Sequence, residues 1–360
     1  MPCYTRHMAR RVPVLLALLL IPTAPAEAAR FTVATDGALP AVAVSGGGTS
    51  HVVWNSEKAG TATTHYCQVP RKATRCAAGT AKTFAPADGD AEFAGPRVLL
   101  NGRTVTIVFS RCCSGTDTPT RVYAARSTDG GATFGAPAEI GTLGADLGLA
   151  DTGTALLTFG NTASGIALQY LKVGQTTSDE NVIAKGEAAS GGVGAGAGGW
   201  IAAYEGTDGV IRAARLRGDV TATKPSFKVL GRGSDVRVAA GRNGTYVMYA
   251  TPGDRGGYVV RRYANSRFGP AVPVSTGAAP IFGNLFQDGA GRVHAVWIGD
   301  RGITYRRTNT DGRSFGRARA LATVTSEYAD LTVAANAAGQ ATVVFAKSAA
   351  AGLVGGYTVS

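Results

Sequence analysis

The stretch Ser50-His51-Val52-Val53-Trp54-Asn55, SHVVWN, is a short apolar run that ends on an aromatic residue, and the chain repeats it. VTIVFS (105–110), ALLTFG (155–160), WIAAYE (200–205), TYVMYA (245–250), HAVWIG (294–299) and ATVVFA (341–346) follow the same pattern. Their aromatics, Trp54, Phe109, Phe159, Tyr204, Tyr249, Trp297 and Phe345, stand 55, 50, 45, 45, 48 and 48 residues apart. So even a period marks a repeat architecture, and it sets the fold before any other feature is weighed.

Working outward, a glycine precedes each aromatic: Gly48, Gly102, Gly153, Gly199, Gly244, Gly291 and Gly339. Ahead of the glycine lies a run of small or β-branched residues, as in PAVAVS, DLGLA, VGAGA and DVRVAA. Two short strands joined by a Gly, Asn or Asp turn form a hairpin. Beyond the aromatic come a loop, a third strand such as RVYAAR, GYVVRRY or ITYRRT, and a fourth near a phenylalanine. Four strands per repeat predict an all-β, seven-bladed β-propeller that fills residues 30–360 as one domain. The aromatics should fill the wedge between blades, and the small residues of each first strand the crowded space near the axis. GYTVS (356–360) reads as a third strand with no fourth after it, whereas RFTVATDG (30–37) reads as a fourth strand. Phe31 to Ala34 is therefore expected to complete the last blade and remove two open edges.

Residues 1–29 stand apart from the repeats. Arg6, Arg10 and Arg11 precede an apolar run from Val12 to Ile21 and the small-residue stretch Ala26-Glu27-Ala28. That order predicts a secretory signal peptide cleaved after Ala28 or Ala29, hence a secreted, extracellular protein. The apolar run is about half the ~20 residues needed to cross a bilayer, and no later segment reads as a membrane span. Of 36 Lys and Arg and 24 Asp and Glu, a chain starting at Ala29 keeps 33 and 23, a net charge of +10. Such a balance suits acidic partners such as an anionic glycan or cell-wall polymer. No run of five or six basic residues occurs, so the charge is scattered and nucleic acid is not the expected partner.

Cys67, Cys76, Cys112 and Cys113 remain after the signal, an even number in an oxidising setting, which predicts two disulfides with three pairings open. Cys67–Cys76 with a vicinal Cys112–Cys113 is the preferred set. The first pair closes a hairpin and leaves the second pair only each other.

Between the third and fourth strands of blade two stands Ser127-Thr128-Asp129-Gly130-Gly131-Ala132-Thr133-Phe134. It resembles the Asp box, S-x-D-x-G-x-T-[WF], of the sialidase-like propellers, also called BNR repeats. Blade six holds a shorter version, Asn309-Thr310-Asp311-Gly312-Arg313-Ser314-Phe315, and blade five only Asn265-Ser266-Arg267-Phe268-Gly269. The residues themselves describe a local turn: Asp129 accepts backbone N–H groups, Gly130 and Gly131 permit positive φ, and Phe134 plugs the blade. Ser127, Asp129, Gly131, Phe134, Asp311 and Phe315 are therefore read as structural. In the resembled family these turns face away from the catalytic mouth.

The loops from second to third strands, and from each fourth strand to the next blade, gather at that mouth. Arg111, Cys112 and Cys113 follow Phe109 directly and are expected there, the vicinal pair forming a rigid shelf in a binding surface. Glu57, Glu205, Asp208, Asp254, Arg255, Asp300, Arg301, Glu327, Tyr328 and Asp330 belong to the same rim. The resemblance implies an arginine triad, a tyrosine nucleophile backed by glutamate, and an aspartate acid. Arg111, Arg255, Arg301, Tyr328, Glu205 and Asp300 are the candidates for those roles. The family's F/Y-R-I-P signature is missing, since the corresponding region reads GALPAVAVS, and its catalytic domains have six blades.

Other chemistry is not signalled. His51 and His294 occupy equivalent positions three before Trp54 and Trp297, as repeat features, and His65 stands alone. There is no zinc-type cysteine spacing, phosphate loop or G-x-S-x-G elbow, so no metal and no cofactor is expected. The Gly-rich VGAGAGG (193–199) falls on an innermost strand, where small residues have a packing explanation. The sequence thus predicts a secreted, monomeric Asp-box propeller that binds a glycan or other extracellular polymer. The alternatives are an exo-sialidase-like glycoside hydrolase and a protein-interaction scaffold.

Overall fold

The computed structural model describes residues 28–58, 61–84, 95–111, 120–143, 146–151, 155–162, 164–172, 179–196, 199–216, 220, 222, 224–253, 256–275, 282–299, 302–322, 328–347 and 352–359. These hold seven four-stranded antiparallel sheets and no helix. Blade one comprises Ala38–Val44, Ser50–Lys58, Thr61–Val69 and Lys82–Phe84; blade two Arg97–Asn101, Thr104–Arg111, Thr120–Ser127 and Ala138–Leu143. Blade three is Asp146–Asp151, Ala155–Thr162, Gly165–Lys172 and Asp179–Ala184; blade four Ala188–Gly196, Gly199–Gly206, Val210–Leu216 and Lys228–Arg232. Blade five is Ser234–Gly241, Gly244–Ala250, Tyr258–Ala264 and Arg267–Pro273; blade six Phe282–Gln287, Val293–Gly299, Gly302–Arg307 and Arg319–Ala320. Blade seven takes Tyr328–Ala335, Ala341–Lys347 and Val354–Val359, and its outermost strand is Ala29–Ala34 from the other end of the chain. There Arg30 lies opposite Tyr357, Phe31 opposite Gly356 and Thr32 opposite Gly355.

The repeated aromatics are buried in every blade, from fully enclosed Phe159 and Phe345 to Trp297 at 8 % exposure. Each such burial is worth about 2–3 kcal/mol. The apolar clusters straddle the seams between blades: Tyr66 of blade one packs with Val105, Ile107 and Phe109 of blade two, and Ile201 of blade four with Val247 and Tyr249 of blade five. The glycines of the fourth innermost strand serve a seam too. A Cβ on Gly194 would stand 2.8 Å from Ala240 Cβ, and one on Gly192 3.2 Å from Val238 N. Close approach of the neighbouring blade, more than crowding at the axis, is what requires them.

Antiparallel pairing sends the first-to-second and third-to-fourth turns to one face and the remaining connections to the other, the mouth. On the first face successive hairpin turns are bonded side chain to backbone: Asn243 Nδ2 to Gly291 O (3.0 Å), Arg292 Nη2 to Ala337 O (2.6 Å) and Asn336 Nδ2 to Ser45 O (3.2 Å). Blades five, six, seven and one are thereby chained together. A Cys67–Cys76 disulfide ties the third strand of blade one to the loop that follows it.

Candidate functional site

The Asp box of blade two is a closed turn. Asp129 Oδ1 accepts the Ser127 hydroxyl (2.7 Å) and the N–H groups of Ala132 and Thr133 (3.0 Å each), and Oδ2 accepts the Thr133 hydroxyl (2.6 Å). The Thr133 hydroxyl and amide, then Ser127 and Ala132, hold this carboxyl well below the usual carboxylate range. Its lone pairs are spent on its own turn. Gly131, at φ +90°, faces the hydroxyl of Tyr66 from blade one, and Phe134 packs edge-on to Tyr66 and Phe84. In blade six Asp311 accepts the Arg313 N–H (2.8 Å), and Tyr246 of blade five donates to Gly312 O (3.1 Å). Phe315 lies 5.8 Å beneath the Arg306 guanidinium. Both boxes thus stitch one blade to the one before it.

The polar concentration lies on the other face, where blades four, five and six meet. The innermost strand of blade five opens with a bulge: the register shifts between Ser234 and Arg237, and Asp235 adopts φ +53°. A bulge re-aims side chains. Asp235 Oδ1 pairs with Arg237 Nη2 at 2.6 Å, while Oδ2 accepts the Tyr258 hydroxyl and the Gly283 N–H (3.0 Å). Arg237 also donates to Gly283 O (3.1 Å) and Val236 O (3.0 Å). From blade four, Glu205 Oε2 accepts the Ser190 hydroxyl (2.7 Å) and the Asp235 N–H (3.2 Å), and Ser190 Oγ in turn accepts the Val236 N–H (2.8 Å).

This network has a rigid floor and an accessible top. Tyr258 is fully enclosed, and burial followed by the Asp235 charge pushes its hydroxyl far above the ordinary phenol range, so it is a fixed donor. Asp235 and Arg237 keep 16 % and 32 % of their side chains exposed, and Phe282, which precedes Gly283 in the chain, is exposed to 39 %. A pre-oriented Asp–Arg pair offers a sugar directed partners for its hydroxyls, and an exposed ring on the same rim offers its C–H face a platform. Across the mouth Asp330 Oδ2 accepts the Leu39 N–H (3.1 Å); burial raises this carboxyl above its ordinary value, with Arg97 opposing.

Of the residues singled out by sequence, Glu205 joins this cluster, bonded to Ser190 and Asp235. Arg111 ends the second strand of blade two opposite Arg121, and Tyr328 opens the innermost strand of blade seven opposite Lys347. Cys112, Cys113, Arg255, Asp300 and Arg301, with Asp254 and Glu327, lie outside the described residues. Asp208 is taken by Arg212 in a two-point ion pair (2.9 and 2.6 Å). His51 and His294 each meet a tyrosine hydroxyl at 2.7 Å, Tyr66 and Tyr305, as buried rungs of their blades. No cluster of potential metal ligands occurs among the described residues, and no helix there is long and apolar enough to cross a membrane. Sequence inspection passed over Asp235, Arg237, Tyr258 and Phe282. The signal was an acid and a base set into an otherwise apolar innermost strand, SDVRVAA (234–240).

No family model and no curated protein matches the chain. Its fold has solved counterparts. An α-L-arabinanase of Penicillium chrysogenum, complexed with arabinobiose, is 10% identical with a TM-score of 0.51, over 93% of this chain and 99% of that one. The GH93 α-L-arabinofuranosidase of Fusarium graminearum, also with arabinobiose, gives 10% and 0.51 over 92% and 97%. A putative 6-phosphogluconolactonase from Bacteroides fragilis gives 13% and 0.52 over 85% and 92%. The likeness is one of fold, shared with propellers that act on carbohydrate.

Proposed function

We propose that the protein is an exported, monomeric glycan-binding propeller whose mouth holds a saccharide over Phe282, Asp235 and Arg237. The observation that carries this is the part-exposed Asp–Arg pair locked by Tyr258 and Gly283, with the exposed Phe282 on the same rim. Arg111, Cys112, Cys113, Arg255 and Arg301 are proposed to complete the rim. Binding is preferred to hydrolysis because the carboxylates of this cluster and its counterpart across the mouth are engaged: Glu205 and Asp330 each accept a backbone N–H from the next blade, and Asp235 is paired with Arg237. The related propellers with arabinobiose make arabino-oligosaccharides the first probes, with sialosides beside them.

Isothermal titration against such a panel tests the proposal. Phe282→Ala and Arg237→Ala are each expected to weaken the saccharide that binds by about tenfold, the effect of losing one charged hydrogen bond or one ring contact. Wild-type affinity in both variants sinks the mouth as the site. Turnover of a sialoside or arabinoside by the wild type, abolished by Tyr328→Phe, replaces the binding module with the glycoside hydrolase.

A further inference from the structure

On the face opposite the mouth, one position of the third strand carries arginine in several blades. Arg126 lies opposite Thr106, Arg215 opposite Ile201, Arg262 opposite Tyr246 and Arg307 opposite His294. Each partner stands three residues before the repeated aromatic of its second strand. Blades four, five and six therefore present the same guanidinium in consecutive units.

Two clefts follow this arc. One of about 400 Å³ lies where blades four and five meet and is lined by Arg215, Arg242 and Arg262. The other, about 340 Å³, lies in blade six beside its Asp box and is lined by Arg307, Arg317 and Arg319. No acidic residue lines either among the described residues. Asp288 is enclosed and holds Arg292 and His294, while Asp311 of the neighbouring Asp box accepts the Arg313 N–H. Some of the arginines are fixed in place, Arg262 by Asn243 O (2.7 Å) and the Tyr246 ring, and Arg307 by Gly339 O (3.0 Å). Arg242 and Arg317 are exposed and make no hydrogen bond or ion pair among the described residues.

Like charges gathered in concave sites that no described acidic side chain lines attract anions, and guanidinium forks match carboxylates and sulfates. A series of such sites along consecutive blades suits an extended chain of anions better than a single small one. The rings that line the two clefts are occupied, Tyr263 edge-on against Phe268 at 4.8 Å and Phe315 under Arg306, with Tyr305 buried, so among the described residues neither cleft offers a free aromatic platform for stacking bases. We infer that the Asp-box face of blades four to six is a second binding site, separate from the mouth, for a linear acidic polysaccharide whose charged groups are taken by these arginines.

Titration of the exported chain with oligogalacturonate, at several salt concentrations, tests this. Arg242→Glu and Arg317→Glu, both at exposed positions, should each weaken binding by about tenfold. Each should also lower the slope of log affinity against log salt by about one, a change that a merely structural role does not produce. Phe282→Ala at the mouth should leave oligogalacturonate binding unchanged, so the two sites stand or fall separately. The inference is overturned if the wild type does not bind, if the fully methyl-esterified oligomer binds as well, or if both charge reversals leave affinity intact. It is equally overturned if Phe282→Ala abolishes binding, or if oligothymidylate binds as tightly and responds to the same variants.

Discussion

At the scale of the residue, Gly131 shows how a motif that looks local serves a contact that is not. Its φ of +90° alone favours glycine, but the Tyr66 hydroxyl of the preceding blade also occupies the place a Cβ would take. Gly312 repeats both conditions with φ +66° and the hydroxyl of Tyr246. Gly131→Ala should therefore cost about 2–4 kcal/mol, the sum of a left-handed backbone and an overpacked seam. Denaturant unfolding of Gly131→Ala, Tyr66→Phe and the double variant separates the two causes. The double variant should be more stable than the single costs added together, because removing the hydroxyl relieves part of the overlap. Strict additivity means that backbone conformation alone requires the glycine.

At the scale of the element, the opening of the innermost strand is a repeated device. Leu39 in blade one and Asp235 in blade five are both left-handed, at φ +52° and +53°, each inside a register shift. In both, the N–H group is taken by a carboxylate of the preceding blade, Asp330 of blade seven or Glu205 of blade four. The acid that grips Leu39 is half-buried, and desolvation raises its carboxyl above the unfolded value of about 3.9. A raised carboxyl favours the folded state while protonated; that contribution is complete below the unfolded value and is lost as pH rises through the folded one. Asp330→Asn keeps an acceptor for Leu39 without the charge. Its melting temperature should exceed that of the wild type at neutral pH, with the gain closing as pH falls below about 4. A gain independent of pH, or a loss at neutrality, refutes the assignment.

At the scale of the whole molecule, ring closure rests on a strand from the far end of the chain. Phe31 is almost fully enclosed, and its ring fills the space beside Gly356. Removing a buried phenyl ring typically costs 3–5 kcal/mol. Phe31→Ala should move the entire unfolding transition to lower denaturant, because losing the latch loosens the seams on both sides of blade seven. A variant that loses less than about 1 kcal/mol, or in which only this strand frays, shows that the ring holds without it.

The seven aromatics made the architecture legible because a blade is local in the chain: burial on both faces of a short strand, a glycine turn and a return strand all fall within one period. The Asp box was legible for the same reason, its donors and acceptor lying between Ser127 and Thr133. Blade five shows the limit, since Asn265 and Ser266, both at positive φ, make a two-residue hairpin turn in place of a box. What only the tertiary structure decided is the mouth. The bonded pairs among Glu205, Asp235, Tyr258 and Gly283 are 23 to 48 residues apart, and the four lie in three blades. Their meeting depends on the angle between blades and on a bulge that turns one residue of an innermost strand to the other face. Hydrophobic periodicity reports the average alternation of a strand, and a single inserted residue reverses it locally without leaving a mark on that average.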